Sequence, residues 1–228
     1  MKLCRIRHSA DDFIVTASDK ETLEDIKRMI EDFLKPRRLT LSKEKTVITH
    51  IDEGFDFLRW IFRKFKGKLI IMPSHKSMCK ITQKVSELIK NSQTIKQEIL
   101  ISRVNEIIRG WANYHHATWA KKSFSTIDHR IWKMLWRWAK RRHPNKCKSW
   151  IVNKYWKHHK GRDWSFKSDK NVLFYMNDMP IIRYPQLRLN TNPFLDAEYF
   201  ENRKKNRDSK RRKAIRSNKA AQIGYYAL

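Results

Sequence analysis

Two adjacent carboxylates, Asp11 and Asp12, are the residues of this chain best suited to hold a metal ion. They lie at a predicted turn between two short apolar segments within residues 3–17. Hard cations such as Mg²⁺ prefer carboxylate oxygens, and two-metal phosphoryl transfer needs such a pair of acids. The pair alone is a weak signal, because Asp-Asp at a turn more often serves only the turn.

Positive charge dominates the composition and is unevenly distributed. The 228 residues include 51 Lys and Arg against 23 Asp and Glu, a net charge of +28. Residues 75–160 hold 20 basic and 4 acidic residues, which is a net charge of +16 for that segment. Such a field attracts polyanions, and nucleic acid is the natural partner because each neutralised phosphate releases counterions. Aromatic residues make up 12% of the chain and indicate a folded protein rather than a disordered basic tail.

Several classes of protein are excluded by what the sequence lacks. The five glycines are scattered, so neither a phosphate-binding glycine loop nor a dinucleotide fingerprint is present. No apolar run approaches the roughly 18–20 residues of a membrane span, so we expect no membrane partner. Cys4, Cys79 and Cys147 form no paired motif, which favours a reducing, cytoplasmic location.

The first 74 residues predict short strands and one helix. Ser18 and Glu21 have the spacing of a capping box that begins a helix, and Pro36 ends it. Residues 46–51 alternate like a strand, and residues 55–72 predict a hairpin that turns at Lys66-Gly67-Lys68. The breaking pair Pro73-Ser74 follows, and we place a domain boundary there.

Apolar stripes of helical period begin at about residue 75. Three such stripes and a fourth segment at 150–156 predict a helical bundle whose outer faces carry Lys and Arg. The stripes comprise Ile81, Val85, Leu88 and Ile89; Val104, Ile107, Ile108 and Trp111; and Ile127, Ile131, Met134, Leu135 and Trp138. The expected fold class is therefore α+β, with a basic tail or solvated helix over residues 202–219.

Several segments, taken in order, resemble one protein family. The A-D-D hairpin at 7–17 is similar to that of reverse transcriptases, and L-S-K-E-K-T at 41–46 and G-F-D-F-L at 54–58 resemble the next blocks of the group II intron branch. The helical segment resembles the maturase-specific thumb, or domain X. Its matching blocks are I-I-R-G-W-A-N-Y-H-H at 107–116, W-R-W-A-K-R-R-H-P-N-K at 136–146 and W-I-V-N-K-Y-W at 150–156.

The resemblance implies a domain plan and a function. Residues 1–74 would be the C-terminal part of a reverse-transcriptase palm, 75–160 the thumb or maturase domain, and 161–228 a basic nucleic-acid-binding segment. The chain looks like the C-terminal part of a bacterial group II intron reverse transcriptase/maturase. Its expected partners are group II intron RNA, a DNA target bound through the basic tail, and a separately encoded N-terminal half.

The resemblance also assigns roles to individual positions. Asp11 and Asp12 correspond to the catalytic, Mg²⁺-binding pair of a complete polymerase, and Lys45, Phe55 and Phe57 to the nucleotide and primer region. The implied RNA-binding residues are Arg109, Trp111, Asn113, Tyr114, His115, Arg137, Arg141, Arg142, His143 and Lys146. The implied DNA-binding residues are Arg203, Lys204, Lys205, Arg211, Arg212 and Lys213.

Three positions depart from the family pattern. Ser9 stands where an aromatic residue usually precedes A-D-D, Arg59 where Gly usually follows F-L, and Cys147 where Ser is usual. The family's polymerase also needs a third aspartate and the fingers, which nothing before Met1 supplies. We therefore expect the chain alone not to polymerise DNA.

Our leading hypothesis is an RNA-binding maturase fragment that supports intron splicing. One alternative is a Mg²⁺-dependent reverse transcriptase, active when complemented by the missing half. Another is a generic basic nucleic-acid-binding protein, which would explain the charge but not the A-D-D hairpin. Core packing is the expected role of Trp111 and Trp138, whereas Trp132 and Trp136 fit packing and RNA contact equally well.

Overall fold

The computed structural model is an α+β protein made of two compact units, Met1–Phe55 and Asp56–Leu228. It describes residues 5–9, 12–42, 44–183, 188, 191–192 and 194–209. The fold class expected from the sequence is confirmed.

The first unit contains a hairpin and one helix. Strands β1 (Arg5–Ser9) and β2 (Asp12–Thr16) pair antiparallel, as predicted, and helix α1 (Lys20–Leu34) follows. The carboxylate of Asp19, rather than Ser18, caps α1 by accepting a hydrogen bond from the backbone N–H of Thr22 at 2.8 Å. The capping residue was therefore misplaced by one position, because Asp and Ser are equally good caps. The strand predicted at 46–51 is wrong, since these residues are irregular or turn.

A hairpin connects this region to the helices. Strand β3 (Phe55–Phe57) lies at the boundary of the units, and β4 (Trp60–Phe65) pairs antiparallel with β5 (Lys68–Pro73). The loop is Lys66-Gly67, and both residues have positive φ (47° and 77°), as the primed two-residue turns of hairpins require. The predicted hairpin is confirmed. By its contacts this hairpin belongs to the second unit. The compact units therefore divide after residue 55, whereas the predicted domain boundary lies at residue 74. The three functional domains stay a prediction.

Four helices build the core of the second unit. They are α2 (His75–Lys90), α3 (Gln97–His115), α4 (Lys121–Arg142) and α5 (Lys148–Tyr155). The predicted stripes are the buried ones, and Val85, Val104, Ile108 and Ile127 are fully inaccessible to solvent. Only Leu88, Ile107 and Met134 of the predicted stripe residues are half-buried rather than buried.

A second hairpin and a short strap, residues 167–182, complete this core. Strands β6 (Trp156–His159) and β7 (Arg162–Phe166) pair antiparallel across Lys160-Gly161, and a 3₁₀ turn follows at Met176–Asp178. Phe166, Leu173 and Met176 are buried together with the helical core. Residues 162–182 thus pack with the helices, whereas the sequence grouped them with the basic tail because they show no clear helical or strand periodicity.

The C-terminal part is described only to residue 209. Residues 197–209 are helical, in agreement with one of the two forms expected for the basic run. Residues 210–219 of that run lie outside the described residues. No helix in the described part of the chain is both long and apolar enough to cross a membrane.

Candidate nucleic-acid interface

Helix α4 presents a row of cations on its exposed side. Asp128 is the only acidic residue in this 22-residue helix. We call the exposed Lys and Arg residues between positions 130 and 141 the cationic face of α4; they are Arg130, Lys133, Arg137, Lys140 and Arg141. The row extends over about 16 Å, at a rise of about 1.5 Å per residue. In the part of the chain that the structure describes, none of these five side chains forms an ion pair.

The last turn of α4 uses its charges in two ways. Lys140 and Arg141 project into solvent, where cations near a helix C-terminus also interact favourably with the helix dipole. Arg142 turns inward instead. Its guanidinium lies 4.7 Å from the ring centre of Trp138 and donates a hydrogen bond to the carbonyl of Ile95. Of these two predicted RNA-binding residues, Arg141 is therefore accessible to a ligand, while Arg142 contacts Trp138 and Ile95 within the helical bundle.

The junction between α4 and α5 is organised around Trp150. The ammonium groups of Lys154 and Lys146 lie 4.8 and 5.4 Å from its ring centre, and His143 packs against it edge-on at 4.8 Å. Nε2 of His143 is also 2.8 Å from the Tyr155 hydroxyl. Desolvation, followed by the charges of Lys154, Arg142 and Lys146, lowers the pKa of His143. The predicted residues His143 and Lys146 are thus brought together, with Lys146 supplying the charge.

The predicted motif of α3 divides into a buried half and an exposed half. Trp111 is 9% exposed and His115 is inaccessible to solvent, so neither side chain lies at the surface. The core packing expected for Trp111 is confirmed, and the RNA-binding role implied for both residues stays a prediction. Arg109 and Asn113 are exposed on the same helix. Tyr114 is also exposed, stacks on Trp60 at 4.7 Å, and donates its hydroxyl to the carbonyl of Leu58 at 2.8 Å.

A buried cluster of hydrogen bonds fixes the positions of Trp111 and His115, the buried half of the motif. Trp60 Nε1 donates to Nδ1 of His115 at 2.7 Å, and Trp111 Nε1 donates to Oγ of Ser77 at 3.0 Å. Burial, with a smaller contribution from the charge of Arg59, lowers the pKa of His115 to about 4. His115 is therefore neutral at physiological pH and cannot add to the attraction for phosphates.

The strap after β7 is fastened to α3 and α4 by polar contacts. The side chain of Asn105 donates to the carbonyl of Val172 and accepts from the N–H of Phe174, at 2.9 and 2.8 Å. The Asp128 carboxylate accepts the N–H groups of Met176 and Asn177. Arg109 leans toward the strap as well, with its guanidinium 4.9 Å from the Phe174 ring. The sequence did not predict these contacts, since a single Asn or Asp within a helix forms no motif that would indicate a distant partner.

Sequence reasoning also missed Trp156 and Trp164 as neighbours of α4. Trp156 lies 5.4 Å from Trp136, and Trp164 lies 6.3 Å from Trp132, measured between ring centres. The β6–β7 hairpin was not predicted, although its turn residues Lys160-Gly161 could have indicated it.

The predicted polymerase residues of the first unit are only partly described. Asp11 lies outside the described residues. Asp12 is exposed and pairs in register with Ser9, Lys45 is exposed in a turn, and Phe55 and Phe57 are half-buried in β3. No group of three or more His, Cys, Asp or Glu side chains suited to a metal ion occurs among the described residues. These residues alone do not complete a two-metal donor set, so Mg²⁺ binding stays a prediction and we assign no step to it.

The predicted DNA-binding residues are divided by the limit of the described chain. Lys204 and Lys205 are exposed and Arg203 is half-buried on the helical segment 197–209. Arg211, Arg212 and Lys213 lie outside the described residues. Their predicted role in DNA binding stays a prediction.

The helical region is similar to known proteins. Residues 78–156 match the family model described as the group II intron, maturase-specific domain. The chain is also 30% identical over 119 residues to the ribosomal operon-associated A protein of Euglena longa, a match that covers 52% of this chain and 22% of that protein. The matched region of this chain thus spans about a fifth of the length of that relative. The matched domain contains α3 and α4, and with them the cationic face of α4.

Proposed function

We propose that this chain, which carries a group II intron maturase-specific domain, binds group II intron RNA and stabilises its splicing-competent fold. The RNA performs the cleavage and joining chemistry, and the protein supplies a rigid, cationic surface. Folded RNA is recognised largely through its shape, its backbone and its 2′-hydroxyls, which suits helices rich in Lys and Arg.

One observation supports this proposal above the others. The segment that matches the maturase-specific model contains the cationic face of α4, whose five exposed cations form no ion pairs among the described residues. Cations that are not neutralised within the protein retain their full attraction for phosphates. A basic surface kept only for solubility would need no such segregation, because interspersed charges serve solubility equally well. The cationic face of α4 lies within the segment that matches the maturase-specific model, which favours an intron maturase over a generic basic protein.

Binding and splicing measured together test the proposal. The purified chain is titrated with a group II intron RNA at several salt concentrations, and splicing of the same RNA is followed with and without protein. We expect affinity to fall steeply with salt, and splicing to be accelerated under conditions where the RNA folds poorly. A flat salt response, or unchanged splicing with saturating protein, would overturn the proposal.

A pair of matched variants locates the binding surface. Replacing Arg137 and Arg141 with Ala removes two charges from the cationic face of α4. Replacing Lys20 and Arg28 with Ala removes two charges from α1, where both are paired with neighbouring carboxylates. We expect only the first variant to lower affinity, with the salt slope reduced by roughly 0.7–0.9 for each phosphate that is no longer neutralised. Equal behaviour of the two variants would show that net charge alone governs binding.

The proposal extends to the remaining partners. The clustered cations of residues 203–205 suit contact with a DNA backbone, and the resemblance of residues 7–17 to a polymerase hairpin suits complementation by a separate reverse-transcriptase half. Primer extension by the chain mixed with such a half, abolished by Asp11→Ala, would support the polymerase alternative. The same assay with the chain alone is expected to give no product.

A further inference from the structure

Four tryptophans meet where hairpin β6–β7 packs on α4. Trp132 and Trp136 are one helical turn apart and stack nearly parallel, with ring centres 5.9 Å apart and an angle of 5° between planes. Trp164 of β7 approaches Trp132 at 6.3 Å, and Trp156 of β6 approaches Trp136 at 5.4 Å. We call these four residues the tryptophan cluster.

The cluster is not an ordinary piece of core. Trp156 is 3% exposed and belongs to the core, together with Phe166, its partner in the strand register. Trp132 and Trp136 are only half-buried, and Trp164 is 52% exposed. Packing therefore accounts for Trp156 but leaves three indoles partly open to solvent at one place. Adjacent exposed aromatic groups are typical of binding surfaces.

The open side of the cluster borders the cationic face of α4. At about 100° per residue, Trp132 and Trp136 fall between the buried stripe and Lys133, Arg137 and Lys140. The nearby charges of β6 are different, because Lys157 and His158 each contact a carboxylate, Asp169 and Asp163, at 2.8 Å. Unneutralised cations therefore flank the tryptophans on the α4 side. A nucleic-acid strand whose phosphates contact α4 would bring its bases against the cluster.

We propose that the tryptophan cluster stacks unpaired bases, so that the ligand of this surface includes a single-stranded or bulged RNA segment. This inference rests on the proposed RNA-binding function and names the part of the RNA that is recognised. Stacking on indole rings tolerates every base, since each has a π-face. Bases inside a continuous duplex are already stacked on one another and cannot use the surface.

The test compares two RNA probes and two variants of the full chain. The probes are a single-stranded oligouridylate, whose bases are not stacked on one another, and a blunt RNA duplex of the same length, each titrated at fixed salt. Trp164→Ala removes the most exposed ring, and Trp164→Phe retains an aromatic face as the matched control. We expect Trp164→Ala to weaken binding of the single strand about tenfold, within the range measured for stacked bases, and to leave duplex binding unchanged. Trp164→Phe should reduce the affinity only slightly.

The outcomes separate this inference from the proposed function. An equal decrease for both probes, or no decrease for the single strand, would overturn stacking while leaving RNA binding intact. Unaltered thermal unfolding of Trp164→Ala checks that weaker binding does not come from the fold, and photocrosslinking of 5-iodouridine-substituted RNA to wild-type Trp164 supports the contact if the variant is destabilised. Absence of that crosslink in a protein that binds RNA would count against the inference. Binding of the single strand without binding of intron RNA would instead refute the maturase function.

Discussion

Trp60 and His115 are joined by a hydrogen bond that fixes the protonation of the histidine. The indole Nε1 of Trp60 can only donate, so Nδ1 of His115, 2.7 Å away, must be the acceptor. The ring proton is therefore on Nε2, which donates to Oγ of Ser77 at 3.2 Å. The neutral imidazole thus connects β4 to α2 from its place at the end of α3.

Replacing His115 with Ala is expected to destabilise the second unit. The change leaves the Trp60 N–H without its acceptor and opens a cavity, which together cost on the order of 2–4 kcal/mol. Chemical denaturation followed by tryptophan fluorescence measures the free energy of unfolding. Asn113→Ala, an exposed change in the same helical turn, is the control and should shift the free energy by less than about 0.5 kcal/mol. Comparable destabilisation of the two variants would argue against a structural role for the buried network.

His115, which is buried, and Asp128, which is half-buried, are expected to make stability respond to pH in opposite directions. The pKa of His115 is lowered from 6.5 to about 4 by burial, so the unfolded chain binds more protons in this interval. Its contribution to stability therefore falls as the pH drops from 6.5 to 4. Burial raises the pKa of Asp128 from 3.8 to about 6, so the folded chain holds the proton there and this contribution falls as the pH rises.

Asp128→Asn separates these two effects. The amide keeps one acceptor oxygen, for the N–H of Met176 or of Asn177, places an NH₂ donor where the other carboxylate oxygen was, and cannot titrate. The variant is therefore expected to be less stable overall, and the slopes of stability against pH are what distinguish it from the wild type. We expect the variant to lose stability more steeply than the wild type between pH 6.5 and 4, because the opposing contribution is gone. Denaturation midpoints at half-unit pH intervals measure the slopes. Parallel profiles for the two proteins would mean that Asp128 does not titrate in this interval.

The sequence predicted the helical unit well because its signals are local. The apolar stripes of α2, α3 and α4 repeat at helical spacing, and burial follows that spacing. The turn at Lys66-Gly67 was equally readable, since a two-residue loop with glycine between apolar strands has few alternatives. The cap of α1 was missed by one residue because Ser18 and Asp19 compete for the same role.

What could not be predicted depends on contacts between distant segments. Nothing in residues 150–170 states that Trp156 and Trp164 pack on α4, since that requires knowing where the β6–β7 hairpin lies. The distinction between Arg142, turned toward Trp138, and its exposed neighbour Arg141 also appears only in three dimensions. A motif therefore identified the region of the candidate site, and tertiary packing decided which of its residues face solvent.

The turn before β4 contains a strained backbone position, Arg59, whose energetic cost can be measured. Arg59 has a φ of 68°, in the left-handed region, and is held there by the N–H of Ser74, which donates to its carbonyl at 2.9 Å. Arg59→Gly should stabilise the protein by up to about 1 kcal/mol, since the left-handed cost of roughly 1–2 kcal/mol exceeds the entropy cost of glycine. Arg59→Ala keeps the strain and should give no such gain. Thermal unfolding of both variants distinguishes relief of strain from removal of charge.

The same two variants test the electrostatic link to His115. The charge of Arg59 contributes to lowering the pKa of His115, although burial contributes more. Both variants remove that charge, so both should raise the pKa of His115 by a similar amount while differing in stability. Histidine titration by NMR measures this pKa. A rise in only one variant would show that backbone rearrangement, not charge, is responsible.

Two glycines offer substitutions with opposite expected signs. A Cβ added at Gly110 or at Gly161 would meet no atom within 4 Å, so sterics do not distinguish them. Gly110 lies within α3, where Ala is favoured by about 1 kcal/mol, and Gly110→Ala should stabilise the protein. Gly161 has a φ of 73° in the β6–β7 turn, so Gly161→Ala should destabilise it by roughly 1–2 kcal/mol. Unfolding midpoints of the two variants should therefore shift in opposite directions, and a shift of the same sign would contradict the backbone assignment of one of these sites.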